Sequence, residues 1–355
     1  MNKAIVFASA VALLCLGGIT RADVFNLSPG LTNLETVVVG DADNVGELSG
    51  AGAGGFGPDR ICGSVGYNYR MGKYEVTSAQ YCDFLNHKAK SDPYGLYSKV
   101  MSAWSDYFPG AQIMRQGSPG TYAYSVALDW ANRPVSSVSF WDACRFCNWL
   151  HNGQGDGDTE TGAYTLNGYN GQDGRAVVRN GGAKWFLPNV DEWYKAAYYK
   201  GGGTATGYWD YPTGSDQIPS NIVVDPDPGN SANIYWYLGS YSIGKPYWRT
   251  NVGEFENSAS AYDTYDQGGN VVEWNEELIR EGQSFRSGPG GSCLQPYGPL
   301  RASTHGYDYG YPANESTSAG FRVAAAVPEP TGVFAALCGI AGLCGMAVRR
   351  KWLTT

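Results

Sequence analysis

Gly269-Asn270-Val271-Val272-Glu273-Trp274 is the stretch on which the reading of this chain turns. Glycine lets a backbone turn its carbonyls inward. A carboxylate placed beside inward carbonyls makes the hard-oxygen surroundings that calcium takes, with about six to eight ligands. A tight turn that simply buries Trp274 is the competing reading. In both, the stretch closes a loop rather than belonging to a repeating helix or a long strand.

Composition agrees with a loop-built protein. The 355 residues include 49 Gly, 26 Tyr and 11 Trp, and only 16% are charged. Ordinary soluble domains carry about 25% charged residues. The 43% apolar content argues for a sizeable core and against disorder. With 25 Lys and Arg against 33 Asp and Glu, the net charge is −8. That balance excludes a nucleic-acid partner, which needs clustered cations. His87, His151 and His305 stand far apart, which argues against a poly-histidine metal centre.

The two ends differ from the rest. Residues 1–22 read as a secretory signal peptide: Lys3, an apolar run, then small residues at Thr20 and Ala22. At the other end, Pro328-Glu329-Pro330 precedes an uncharged segment over 331–348 and then Arg349-Arg350-Lys351. Such a segment, at about 1.5 Å per helical residue, is long enough for a transmembrane helix with its basic cluster held in the cytoplasm. Setting aside Lys3, Arg21, Glu329, Arg349, Arg350 and Lys351 leaves a body with a net charge of −12. Cys62, Cys82, Cys144, Cys147 and Cys293 remain in it, able to form disulfides in an exported protein.

Within the body, Val37-Val38-Val39 marks an early strand, and 46–57 (GELSGAGAGGFG) reads as a flexible loop that lacks the frame of a phosphate cradle. Three short helices announce themselves by capping boxes: Thr77 with Gln80, Ser139 with Asp142, and Asn189 with Glu192. Ala143, Phe146, Cys147 and Leu150 form the inward stripe of the second, and Trp193, Ala196 and Ala197 that of the third. Residues 92–132, 152–182 and 201–260 read as long irregular stretches, of the kind that carries function. One domain over 69–326, with 23–68 as a strand and glycine-rich lead-in packed on it and 327–355 as a sorting tail, is the expected organisation.

The spaced motifs resemble one family. In order they are Met71-Gly72-Lys73-Tyr74-Glu75-Val76-Thr77, Ser139-Phe140-Trp141-Asp142-Ala143, Leu187-Pro188-Asn189 with Asp191-Glu192-Trp193, the opening stretch 269–274, Gly290-Gly291-Ser292, and Gly320-Phe321-Arg322-Val323. Together they are similar to the formylglycine-generating enzyme, or sulfatase-modifying factor, family. The resemblance implies a compact α+β fold, C-type-lectin-like, of short helices and strands with much irregular loop. It implies calcium held by the side chains of Asp266 and Glu273 and the carbonyls of Gly269 and Val271. A second calcium site would use Asn233 and Ile234 with an acid near Gly244-Lys245, where no acid stands. The tail resembles a PEP-CTERM sorting signal, which implies an exosortase-type partner, transient anchoring in a Gram-negative inner membrane, and delivery to the cell surface or extracellular matrix.

Oxidase members of the family bind copper(I) through two cysteines, three and eight residues after the Ser of Gly-Gly-Ser. Here those positions hold Gln295 and Leu300, and the one nearby thiol is Cys293. A near-linear Cu(I) site needs two soft thiolates, so copper and cysteine oxidation are not expected. Cys144-x-x-Cys147 lies too far into its helix for strong thiol activation, and structural use, with a disulfide to Cys82 or Cys62, is the expectation. A Ser303, His305, Asp308 reading has only proximity behind it. The function expected is a non-catalytic binding or structural module for a peptide or glycan. The alternative is a formylglycine-generating-type oxidase rearranged around Cys293.

Overall fold

A computed structural model describes residues 23–24 and 32–327, apart from 105–108, 237–238, 280–281 and 306–309. The signal-peptide and sorting-tail expectations therefore lie outside the described residues. Among the described residues no helix is long and apolar enough to cross a membrane.

Short elements succeed one another: β1 (Asp23–Val24), β2 (Glu35–Val39), β3 (Glu47–Ser49), β4 (Arg60–Cys62), β5 (Tyr69–Gly72), α1 (Ser78–Lys88), β6 (Ile113–Gln116), β7 (Ala123–Val126) and α2 (Phe140–His151). Then come β8 (Trp185–Phe186), α3 (Val190–Tyr198), β9 (Tyr235–Trp236), β10 (Ser240–Tyr241), β11 (Val272–Glu273), β12 (Ala319–Gly320) and β13 (Ala324–Ala326). The largest sheet has five antiparallel strands in the order β1-β2-β5-β13-β8. Pairing of Met71 with Ala324 closes it by setting the two ends of the described body side by side.

All three helices start as their sequences announce. The side chains of Thr77, Ser139 and Asn189 accept the N–H of Gln80, Asp142 and Glu192, and each partner side chain reaches back to the cap N–H. Helix α2 departs from a one-sided stripe, since every residue from Phe140 to Leu150 is buried. The helix runs through the core instead of along its surface, and its buried Arg145 is paired with Glu160 at 2.7 and 3.0 Å and also donates to Asn170 and the Tyr169 carbonyl.

The aromatic residues went mainly inward. Trp141, Trp149, Trp193, Trp274, Tyr69 and Tyr81 are among the largest fully buried side chains. Tyr81, Phe84, Phe146, Trp149 and Phe321 form a continuous aromatic centre with ring centroids 5.3–6.4 Å apart. Two long stretches are also more regular than expected. Residues 92–132 contain the β6–β7 hairpin, and the glycine-rich 46–57 segment begins in β3, which pairs with β4.

The disulfide expectation is corrected. Cys62, Cys82, Cys144, Cys147 and Cys293 are all buried free thiols. Cys82, Cys144 and Cys147 belong to the main core, whereas Cys62 packs in a separate cluster with Trp193, Tyr194 and Tyr208. They act as small apolar core residues. Burial raises the thiols of Cys144 and Cys147 well above their ordinary range, so neither is an activated redox group.

Candidate functional site

Four of the sequence motifs meet at one buried ion pair. Arg322 donates through Nε and Nη2 to the two carboxylate oxygens of Glu273, each at 2.7 Å, and both side chains are at most 1% exposed. Its Nη1 donates to the carbonyl of Gly72 at 2.9 Å, and Nη2 to that of Tyr265 at 2.7 Å. The Trp193 indole N–H donates to Glu273 Oε2 at 2.6 Å. A bidentate guanidinium–carboxylate pair with further donors is the geometry in which a buried charge pair is tolerated. Here it ties β5, α3, β11 and the β12–β13 segment together.

The turn leading into β11 needs its glycine. Gly269 has φ +91°, and a Cβ on it would stand 2.3 Å from the Asn233 carbonyl. Gly290 has φ +87°, and its Cβ would meet the Gln267 carbonyl at 2.4 Å. Asn270 N–H donates to the Asn233 carbonyl at 2.9 Å, and Gly269 N–H to that of Gly290 at 2.9 Å. Trp274 is fully buried, its indole N–H on the Val138 carbonyl at 2.9 Å.

Calcium as the resemblance assigns it does not fit this arrangement. Both oxygens of Glu273 are engaged by Arg322, and one also takes the Trp193 N–H, so this carboxylate is not presented to a cation. Asp266 is half-buried and accepts the Gly253 N–H through Oδ2 at 2.6 Å. Burial pushes its carboxyl up to about 6, with Gly253 and Arg322 opposing and Glu273 adding to the shift. Beside it Glu75 is 1% exposed, and neither carboxylate oxygen has a hydrogen-bond partner. Burial, and then the charges of Asp266 and Glu273, raise Glu75 well above the carboxylate range. Among the described residues no group of three or more His, Cys, Asp or Glu could hold a metal ion. Glu75 was missed at the sequence level because a glutamate one residue before an apolar valine carries no pattern of its own.

For the second site, Asn233 is 1% exposed and donates to the Trp248 carbonyl and to Asn270 Oδ1, both at 3.0 Å, while its own Oδ1 has no partner. The Ile234 carbonyl accepts from Ser242 Oγ at 3.3 Å. Cys293 is 2% exposed, and burial pushes its thiol up to about 12 against the opposing charge of Arg249. At the positions of the family's copper thiols, Leu300 is fully buried against Tyr211, Ala232 and Ile234, and the Gln295 amide oxygen accepts from Ser292 Oγ at 3.4 Å. His305 Nδ1 stands 3.1 Å from Ser49 Oγ, while Asp308 lies outside the described residues.

A cleft of about 280 Å³ opens where the loop of Arg175 to Arg179 faces the Glu276 to Arg286 hairpin. Arg179 spans its wall, held by Glu192 at 2.6 Å and Glu276 at 2.7 Å. Arg286 donates to the carbonyls of Glu276, Gly174 and Val177. Val177, Val178 and Leu278 supply an apolar side. Asn189 of the Leu187-Pro188-Asn189 motif also lines it, while Arg175, Val177, Val178, Arg179 and Arg286 belong to none of the sequence motifs.

This frame, in which Glu-Val-Thr, Asp-Glu-Trp, Val-Val-Glu-Trp and Gly-Phe-Arg segments converge on one ion pair, matches a family model described as the sulfatase-modifying factor enzyme 1-like domain over residues 64–327. The chain belongs to that family. Among solved structures, PvdO from Pseudomonas aeruginosa is 18% identical, with a TM-score of 0.50 over 86% of this chain and 98% of that one. CarF is 21% identical at a TM-score of 0.47, over 83% of this chain and 99% of that one. Treponema denticola variable protein 1 is 19% identical at 0.49, over 87% and 100%. At such identity the likeness to PvdO speaks for the fold alone. No curated protein matches the chain. In this sulfatase-modifying-factor-like domain, β2 of the lead-in adds a strand to β5, so the sheet begins ahead of the matched residues.

Proposed function

We propose that this chain is an exported, cell-surface protein whose sulfatase-modifying-factor-like domain is a non-catalytic binding or structural module, of C-type-lectin-like architecture. The observation that carries the reading is the state of Cys293. It is a buried thiol with its pKa pushed up to about 12, and leucine and glutamine occupy the places of the copper-binding pair. Copper(I) takes thiolates, and one protonated, enclosed thiol offers none. Export rests on the leader and on the tail pattern, with an exosortase-type enzyme as the processing partner and the inner membrane as a transient stop.

The ligand of this reading is a peptide or glycan seated in the cleft beside Arg179 and Glu276. Pockets for whole small molecules run to about 300–1,000 Å³. A 280 Å³ cleft is at the low end, which suits one sugar ring or one amino-acid residue of a longer chain. Charged groups of both signs next to an apolar wall suit such mixed ligands.

The test uses the full chain on glycan and peptide arrays, beside Val178→Arg, which fills the cleft from a side chain 69% exposed. Binding by the wild type and its loss in the variant support the reading. An array with no binder counts against it. Stoichiometric copper(I) uptake that disappears in Cys293→Ser, with oxidation of a Cys-x-Pro-x-Arg peptide, would replace it by the oxidase.

A further inference from the structure

The cleft beside Arg179 is rich in charged side chains, yet their charges are spent on one another. Arg179 divides its guanidinium between Glu192 and Glu276, gives a further hydrogen bond to the Leu187 carbonyl at 3.0 Å, and lies 3.6 Å from the centre of the Phe186 ring. Glu276 also accepts the Tyr164 hydroxyl on Oε1 at 2.6 Å. Arg175 is paired with Asp173 through two nitrogens, at 2.8 and 2.6 Å, and Glu277 with Arg60 at 2.9 Å. Arg286 is 3% exposed, gives its terminal nitrogens to three carbonyls and stands 4.5 Å from the centre of the Phe140 ring. Its Nε has no hydrogen-bond partner but is enclosed, out of a ligand's reach. A charged ligand group entering here would have to break one of these pairs or shed its water without a new partner, and both are costly.

What stays open to a ligand is apolar or neutral. Val178 is 69% exposed, Val177 packs partly against the main core, and Leu278 completes the apolar side. Asn189 uses its amide oxygen on the Glu192 N–H at 2.8 Å, while its side-chain NH₂ donates to no described residue. Leu278 stands opposite Arg286 in an antiparallel bridge, flanked by Ile279 N–H on the Phe285 carbonyl at 3.1 Å and Ser287 N–H on the Glu277 carbonyl at 3.0 Å. In that register the N–H and carbonyl of Leu278 turn away from the Arg286 strand. An outward strand edge of this kind is where an extended chain can pair. None of the described residues lining the cleft is aromatic, so the ring face on which a sugar stacks is missing.

We propose that the cleft takes an extended peptide, held by the outward edge of Leu278 and the Asn189 amide, with one aliphatic side chain seated on Val177, Val178 and Leu278. The inference rests on the reading of this cleft as the ligand site. It adds that the ligand is a peptide, selected there by size and apolarity instead of by charge.

The probe is a library of short peptides, each position varied in turn, bound to the full chain at low and at high salt, with a glycan array beside it. The expected result is a preference for Leu, Ile, Val or Met at one position. Affinity should change by less than about twofold between about 0.05 and 0.5 M salt. Val178→Ala should weaken binding by about three- to tenfold, and Val178→Arg, which fills the cleft, should abolish it. Both variants alter an exposed side chain, and melting temperatures equal to that of the wild type show that the fold is intact. Glycans bound by the wild type and lost in Val178→Arg, with no peptide bound, keep the cleft as the ligand site but overturn the peptide. Charged peptides whose binding falls steeply with salt overturn the apolar selection. No binder of either kind, or binding untouched by Val178→Arg, overturns this inference together with the reading beneath it.

Discussion

At the scale of single residues, Asp142 makes the sharpest prediction. Its carboxyl is 2% exposed and accepts the N–H and hydroxyl of Ser139 at 2.8 and 2.7 Å. Burial pushes it from 3.8 up to about 7, with Ser139 and Arg145 opposing and Glu315 reinforcing. The folded chain therefore holds a proton there that the unfolded chain releases. This contribution to stability is fully present below the ordinary value and is lost as pH rises through about 7. Denaturant unfolding at pH 5 and pH 8 should show a smaller loss of stability on going to pH 8 in Asp142→Asn than in the wild type. The cap itself was legible in the sequence, because it is a contact between residues three apart. The shift was not, because it depends on what other segments lay over the helix. Glu75 follows the same logic: its type and position are plain in the sequence, while its burial beside the charges of Asp266 and Glu273 depends on segments distant in the chain.

At the scale of elements, the helices were readable and the hairpins were not. Thr77 caps α1 through the Gln80 N–H at 3.2 Å and receives the Gln80 side chain on its own N–H at 2.8 Å. Thr77→Ala should lower unfolding free energy by about 1 kcal/mol, measured by urea denaturation. The β6–β7 hairpin escaped notice because its strands do not alternate apolar with polar in the usual way. Arg115 occupies what would be an apolar position, stacked 4.5 Å from the Tyr97 ring and 4.3 Å from that of Tyr122. Its hydrocarbon and guanidinium faces do the packing that a valine would do elsewhere.

At the scale of the whole molecule, the Glu273–Arg322 pair and the aromatic centre hold segments that are far apart in sequence. Arg322→Met should reduce stability by about 3–5 kcal/mol, since it leaves Glu273 buried without its partner. Reductant should leave the melting temperature unchanged, because all five body cysteines are free. A fall of several degrees in dithiothreitol would mean that cross-links hold the fold after all. The high tyrosine and tryptophan content, which on composition alone suits a recognition face, chiefly fills the core; among the described residues Phe56, Tyr67, Trp104, Tyr169 and Tyr311 are the large aromatic residues left exposed. By itself the sequence determined the family, the three capped helices and the absence of a thiol pair at Gln295 and Leu300, since each rests on residue identity at short, ordered spacings. Only the tertiary structure decided that the cysteines stay apart, that Glu273 belongs to Arg322, and that Glu75 is left unpartnered. Those outcomes depend on which distant segments share a low-dielectric interior, where an unpaired charge is costly and no local spacing records which groups meet.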